Sequence, residues 1–352
     1  MVATYIEGFH DPEEVARMCY TPLGNTGMEL SSVGFGASPL GNPYTAEAPS
    51  DAEGQACVLK ALKSGINYID TAPWYGQGKS EEKLGKILED IPRSSYYIGT
   101  KVGRYEKDVE GMFDFSAERV KCSVDESLSR LGLRCVDIIQ VHDVEFAENV
   151  EIILNETLPA LQKIKEAGKA RFIGITGYPI STLREIVERS TVKIDSVLSY
   201  CHLDLNDSSL LDHIAYFEQK GIGVISASPL SMALLTSFGP PDWHPASDEV
   251  KASCRNAAQY CQDHGVDIAK LAIHFSFSQA KVATVLVGMD RPSFLERNLD
   301  VVHNKLSETE EKVLQEIQKE FFPPGVSRTW EGVEVAKYRK KLKARQAELL
   351  QG

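Results

Sequence analysis

The chain has 352 residues, 43% apolar and 25% charged, the make-up of a soluble globular protein with room for one large α/β domain or two small ones. Its formal net charge of −12 excludes the basic surface that nucleic acid or an anionic membrane requires. No apolar run approaches the ~18 residues of a membrane span. The acidic start Met1–Glu14 lacks the build of a signal peptide, and seven cysteines without a C-x-x-C pair point to reduced thiols, so a cytoplasmic location is expected.

Residues 1–20 read as a loosely held arm. Leu23 to Leu30, with Asn25-Thr26-Gly27 between short apolar ends, predicts a hairpin. Strands then alternate with helices. The strands fall at 33–36, 66–70, 96–101, 136–142, 171–176, 196–200, 223–226 and 283–287. Helical patterns occupy 51–64, 80–90, 117–131, 156–167, 181–189, 208–219, 249–264, 267–279 and 292–303. Gly65, Gly168 and Gly221 mark helix stops. The strands are short, apolar and not alternating, as parallel strands buried on both faces should be. Eight βα units without a linker predict one closed (β/α)8 TIM barrel over 21–322. A doubly wound two-domain enzyme is the alternative, but Gly34-Phe35-Gly36 runs on into Ala37-Ser38-Pro39 and lacks the last glycine of its fingerprint. A further helical pattern at 307–320 precedes the tail from 323, whose basic stretch 334–350 reads as a surface helix or a frayed end.

The most informative stretch is Ile69 to Gly85. A strand ends there in a Pro/Gly loop, and a helix follows with Ser80 as its expected cap and an acidic first turn. Asp70 ends the second strand, with Tyr75 five residues on; Lys101 ends the third strand and His142 the fourth. In a barrel the C-terminal strand ends converge on one mouth, so these four can meet. A phenol titrates near ~10, too high for proton transfer at neutral pH, and a neighbouring lysine favours its phenolate. A carboxylate holds that lysine charged, and a histidine orients a substrate oxygen. The set suits proton transfer at a carbonyl or alcohol oxygen while a hydride moves at carbon. Metal and hydrolase chemistry have no support: there is no H-E-x-x-H, no ligand-spaced Cys/His pair, no G-x-S-x-G and no Walker loop. His202, His213, His244, His264, His274 and His303 read as structural or surface residues.

Over about residues 20–305 these motifs resemble the aldo-keto reductase family: Asp70-Thr71-Ala72, Tyr75-Gly76, Ser80-Glu81, Leu84-Gly85, Thr100-Lys101, Val141-His142 and Gly168 through Thr176. The strings Gly34–Gly41, Leu198–His202, Asn206–Ser208, Ser226–Leu230 and Pro240–Ser247 are similar to the L-galactose dehydrogenase group of that family. The resemblance implies the barrel fold, NAD(P)-dependent hydride transfer, and catalytic roles for Asp70, Tyr75, Lys101 and His142. It further implies oxidation of the C1 hydroxyl of an aldose such as L-galactose to the lactone. An NADPH-dependent aldehyde or ketone reductase is the alternative, and a catalytically idle binding subunit the third reading.

Cofactor positions carry over less evenly. Thr176 stands where the family has Ser-Asn, Ser199 or Tyr200 where it often has Gln, and Ala227 where it commonly stacks a Tyr on nicotinamide. Ser228, Pro229 and Leu230 would face the pyrophosphate. After the last strand, Gly288 to Phe294 carries one arginine, Arg291, beside Asp290, where NADP-preferring members hold the 2′-phosphate with Lys and Arg. An acidic neighbour repels phosphate, so NAD is expected, with NADP possible. Glu296 and Asn298 are expected at the adenine end, and Tyr44, Trp74, Phe115, Trp243 and His244 as pocket walls. The expected partner is a small sugar or carbonyl compound, with a monomer as default.

Overall fold

The computed structural model describes residues 2–41, 49–279 and 281–349. Strands β1 (Tyr20–Pro22) and β2 (Glu29–Ser31) form the antiparallel hairpin. Eight parallel strands follow: β3 (Val33–Gly36), β4 (Tyr68–Asp70), β5 (Tyr97–Val102), β6 (Val136–Val141), β7 (Ala170–Gly177), β8 (Ser196–Tyr200), β9 (Gly223–Ala227) and β10 (Thr284–Gly288). They pair in sequence order and β10 returns to β3, so the sheet is a closed barrel and not a doubly wound one.

Alternation along each strand divides the apolar residues between two cores. Val33, Phe35, Ile69, Ile98, Ile139, Ile173, Val197, Val224 and Val285 pack outward against the helices. Tyr68, Tyr97, Ile138, Leu198, Ile225 and Leu286 fill the interior, where Leu23, Met28 and Leu30 of the hairpin join them. Asn25 N–H donates to Gly221 O at 2.9 Å, which seats the hairpin turn at the start of β9. The hairpin therefore plugs the end where strands begin and leaves the other end as the mouth.

Local chemistry explains the helix ends. Ser50 forms a reciprocal capping box with Glu53 ahead of Asp51–Lys63, and Ser116 caps Ala117–Leu131, which stops at Gly132 with a φ of 65°. Ser80 is not a cap, contrary to expectation. Helix Lys79–Leu88 starts from Gly78 in a left-handed conformation, and Ser80 Oγ donates to Ala37 O at 2.8 Å, tying the helix to the loop after β3. Its acidic neighbour Glu81 is buried, accepting from Arg130 Nε at 2.7 Å and Thr100 Oγ1 at 2.5 Å.

The N-terminal arm is packed and not loose. Asp11 caps helix Pro12–Arg17, Val15 and Met18 are buried, and Asn67 Nδ2 donates to Thr4 Oγ1 at 3.1 Å. Two apolar anchors in twenty residues are too few to register as a period. The tail forms the surface helix Val333–Leu349, in which Tyr338 lies edge-on to Phe113 (5.1 Å) and Phe146 (5.7 Å), beside the mouth. Among the described residues no helix is long and apolar enough to cross a membrane.

Candidate active site

The register brings chemistry to the inner face at the mouth. Asp70 lies opposite Gly99, and Lys101 opposite Gln140. Period-two alternation then sets Tyr68 and Asp70, Gly99 and Lys101, and Gln140 and His142 on one continuous face. Gly99 is required there, because a Cβ would stand 2.4 Å from the Tyr68 hydroxyl. Tyr75 arrives on the loop after β4. Its carbonyl lies against Gly41, where a Cβ would come within 2.2 Å of that oxygen, so the two loops interlock only through a glycine.

Lys101 is 1% exposed, and three acceptors surround its ammonium: Asp70 Oδ1 in a short ion pair, Thr71 O at 2.9 Å and Tyr75 OH at 3.2 Å. Burial alone would lower its pKa, but Asp70 and Tyr75 outweigh burial and hold it above the ordinary lysine value. The ammonium therefore stays charged and stabilises negative charge on the phenol oxygen. The other oxygen of Asp70 accepts from Gln140 Nε2 at 2.8 Å and Tyr68 OH at 3.3 Å, so the buried carboxylate is satisfied on both sides.

His142 meets the Tyr75 ring edge-on, with centroids 5.9 Å apart. Burial, aided by Lys101 and Arg104 against Asp143, pushes its pKa down to about 3, which keeps the imidazole neutral. Its buried Nδ1 has no hydrogen-bond partner among the described residues, and Nε2 stands 3.7 Å from Asp143 Oδ2. Asp143 takes a left-handed φ of 51° and accepts from Arg104 Nη1 at 2.6 Å. The Arg104 guanidinium lies over the Trp74 ring at 4.1 Å.

The expected cofactor residues divide. Thr176 is buried at the end of β7, and its Oγ1 accepts from Asp143 N–H at 3.0 Å, which ties it to the histidine loop. Ser199 shares the outward face of Val197, toward the helices, while Tyr200 shares the inner face of Leu198; of the two, only Tyr200 is brought to the mouth. After β9, Ser228 has a φ of 61° and the loop over Pro229 and Leu230 closes with Leu235 N–H donating to Leu230 O at 3.2 Å. The N–H groups of Leu230, Met232 and Ala233 make no hydrogen bond among the described residues. Unpaired N–H groups in a loop whose backbone is left-handed at Met232 and Ala233 fit a phosphate-bearing cofactor.

Gly288 ends β10, beside β3 at Gly36. Arg291 Nε donates to buried Asp290 at 3.0 Å, and its guanidinium lies 5.1 Å from the Phe294 ring. Glu296 pairs with Lys60 on the outside of the helix layer, and Asn298 is buried in helix Pro292–His303. Among the expected walls, Trp74 covers Arg104 and His244 is buried, whereas Phe115 is a core residue stacked near Phe113, and Trp243 is 61% exposed. Tyr44 lies outside the described residues. The sequence reading did not single out Gln140, Tyr68, Arg104, Asp143 or Trp330. For the first two a signal exists: each precedes His142 or Asp70 by two positions and so shares its strand face.

The closed barrel and its likeness to known proteins define the class: a (β/α)8 oxidoreductase. The chain belongs to the aldo/keto reductase family, whose model matches residues 32–319. It is 48% identical to an L-galactose dehydrogenase of Arabidopsis thaliana over 86% of this chain and 97% of that one. A D-arabinose 1-dehydrogenase of Saccharomyces cerevisiae is 32% identical over 86% and 93% of the two chains. Among solved structures, an aldo-keto reductase from Bacillus halodurans in its holo form matches with a TM-score of 0.67 and 25% identity, covering 85% of this chain and 96% of that one. The family works with nicotinamide cofactors.

Proposed function

We propose that this protein oxidises the C1 hydroxyl of an aldose, L-galactose foremost, to the lactone with NAD as oxidant. The observation that carries the reading is the buried line from Asp70 through Lys101 to the Tyr75 hydroxyl, 3.2 Å from the ammonium. Tyr75, as phenolate, takes the hydroxyl proton; Lys101 holds the negative charge in place and Asp70 holds Lys101. Neutral His142 supplies a hydrogen bond to the reacting oxygen. The nicotinamide, when bound, supplies the acceptor for the C1 hydride, so each turnover yields lactone, NADH and one proton. Net release of a proton favours oxidation at higher pH.

Identity to two aldose dehydrogenases supports the substrate class. The preference for NAD follows from Arg291, whose guanidinium is engaged by Asp290 and set beside a carboxylate that repels a 2′-phosphate. The test follows NADH absorbance with NAD or NADP and L-galactose, L-fucose or D-arabinose. Rapid reduction of NAD with L-galactose is expected. Silence with every sugar, together with NADPH oxidation by simple aldehydes, would replace the proposal with a carbonyl reductase.

A further inference from the structure

Beneath the loop that follows β9 lies a buried polar cluster that takes no part in proton transfer. From Ser228 to Ala233 the backbone adopts a left-handed φ at four residues with side chains: Ser228 (61°), Ser231 (48°), Met232 (50°) and Ala233 (78°). Residues bearing a Cβ populate that region sparsely, so such a loop keeps its shape only where its surroundings over-determine it. Here they do. Ser231 is fully buried and gripped twice. Its Oγ donates to Asp204 Oδ2 at 2.5 Å, and its carbonyl oxygen accepts from His244 Nε2 at 3.1 Å.

Both partners are themselves fixed. Asp204 Oδ1 accepts the N–H groups of Asn206 at 2.8 Å and Asp207 at 3.0 Å, so one carboxyl joins the turn after β8 to the loop after β9. His244 Nδ1 accepts from Ala246 N–H at 3.1 Å, which assigns the ring proton to Nε2 and makes it the donor to Ser231. The edge of the ring meets Trp330 at 4.9 Å. Neither residue hydrogen-bonds Asp70, Tyr75, Lys101 or His142 among the described contacts.

We propose that Asp204 and His244 are positioning residues that, by gripping Ser231, hold residues 228–233 in the shape whose free N–H groups receive the cofactor pyrophosphate. The inference rests on the dinucleotide reading of that loop and adds the residues that maintain it. Its effect falls on cofactor affinity and leaves proton transfer alone.

The test uses the full chain with Ser231→Ala and His244→Ala, which open the grip from two independent sides. Calorimetry measures binding of ADP-ribose, which carries the pyrophosphate, and of nicotinamide mononucleotide, which lacks it. Losing one buried hydrogen bond is expected to raise the Kd for ADP-ribose and the KM for NAD by roughly tenfold. The Kd for the mononucleotide and kcat at saturating NAD stay within about twofold of wild type. Unchanged ADP-ribose binding in both variants would overturn the positioning role, as would an equal loss for both probes, which signals general loosening. A wild-type protein that binds neither ADP-ribose, NAD nor NADP would instead overturn the dinucleotide reading, and this inference with it.

Discussion

Replacing Tyr75 by Phe removes one atom from the buried line at the mouth, and the structure sets the size of the result. The phenol oxygen accepts from Lys101 at 3.2 Å, and the ammonium keeps Asp70 and Thr71 O after its loss. One hydrogen bond of this kind contributes about 0.5–1.5 kcal/mol to stability, so the variant folds and melts within a few degrees of wild type. The chemical step loses its proton acceptor, which lowers kcat by ~10²–10⁴-fold, or about 3–5 kcal/mol of barrier. Lys101→Met is the control. It strands the Asp70 carboxylate in the barrel with Gln140 and Tyr68 as its remaining donors among the described residues, and breaking a buried pair from one side costs about 3–5 kcal/mol of stability. The two variants should therefore share the loss of NADH production and differ in urea midpoint. Retention of more than about a tenth of wild-type kcat by Tyr75→Phe would refute the role of the phenol.

The Arg104→Met variant leaves the buried Asp143 carboxylate without its guanidinium, and stability at neutral pH should fall by about 3 kcal/mol. Burial would raise the Asp143 pKa, but Arg104 outweighs it and holds the pKa low, so that contribution is present above the unfolded aspartate value and is lost as acid protonates the folded carboxyl. Urea melts across acidic pH should show the wild-type advantage over the variant shrinking. Glu145 behaves in the opposite sense: burial, then Asp143, pushes it up to about 8. The folded state thus binds the extra proton between the unfolded glutamate value and about pH 8, and stability falls as pH rises through that window. Glu145→Gln should flatten this slope, and a parallel slope in the variant would locate the effect elsewhere. Asp290→Asn removes the carboxylate beside Arg291 and should lower the NAD-over-NADP ratio of kcat/KM about tenfold; an unchanged ratio would free Asp290 of any part in cofactor choice.

Much of this was legible because strand chemistry is local. Asp70, Lys101 and His142 each close a short apolar run, and a parallel barrel delivers strand ends to one mouth whatever the loops do. What stayed hidden depends on contacts remote in sequence. Ser80 precedes an acidic turn like any cap, yet its hydroxyl goes to Ala37. Ser199 and Tyr200 are adjacent letters, and only the register with β7 decides which one faces inward. Trp330, 3% exposed, lies in a tail without apolar period; it is buried by stacking on Tyr178 at 4.9 Å, a residue 152 positions away.

The interior of the barrel explains why the polar group sits at one end. A buried ammonium and carboxylate are tolerated only if every lone pair and proton is answered, which here takes Gln140, Tyr68 and Thr71 O besides the pair itself. Tyr68 and Gln140 share the inner face with Asp70 and His142; the interior also holds Ile138, Leu198, Ile225 and Leu286 and the hydroxyls of Ser196 and Thr284, and the hairpin residues Leu23, Met28 and Leu30 close its far end. The hairpin thus closes the barrel from below, and the Lys101–Tyr75 contact lies at the mouth end. The sealed floor strengthens the electrostatic hold of Lys101 on the phenol oxygen, because the same pair in water would be screened to a fraction of its value. A polar substitution in the plug, such as Leu30→Asn, is therefore expected to reduce kcat as well as stability, and a variant that loses stability with kcat intact would show that the seal serves the fold alone.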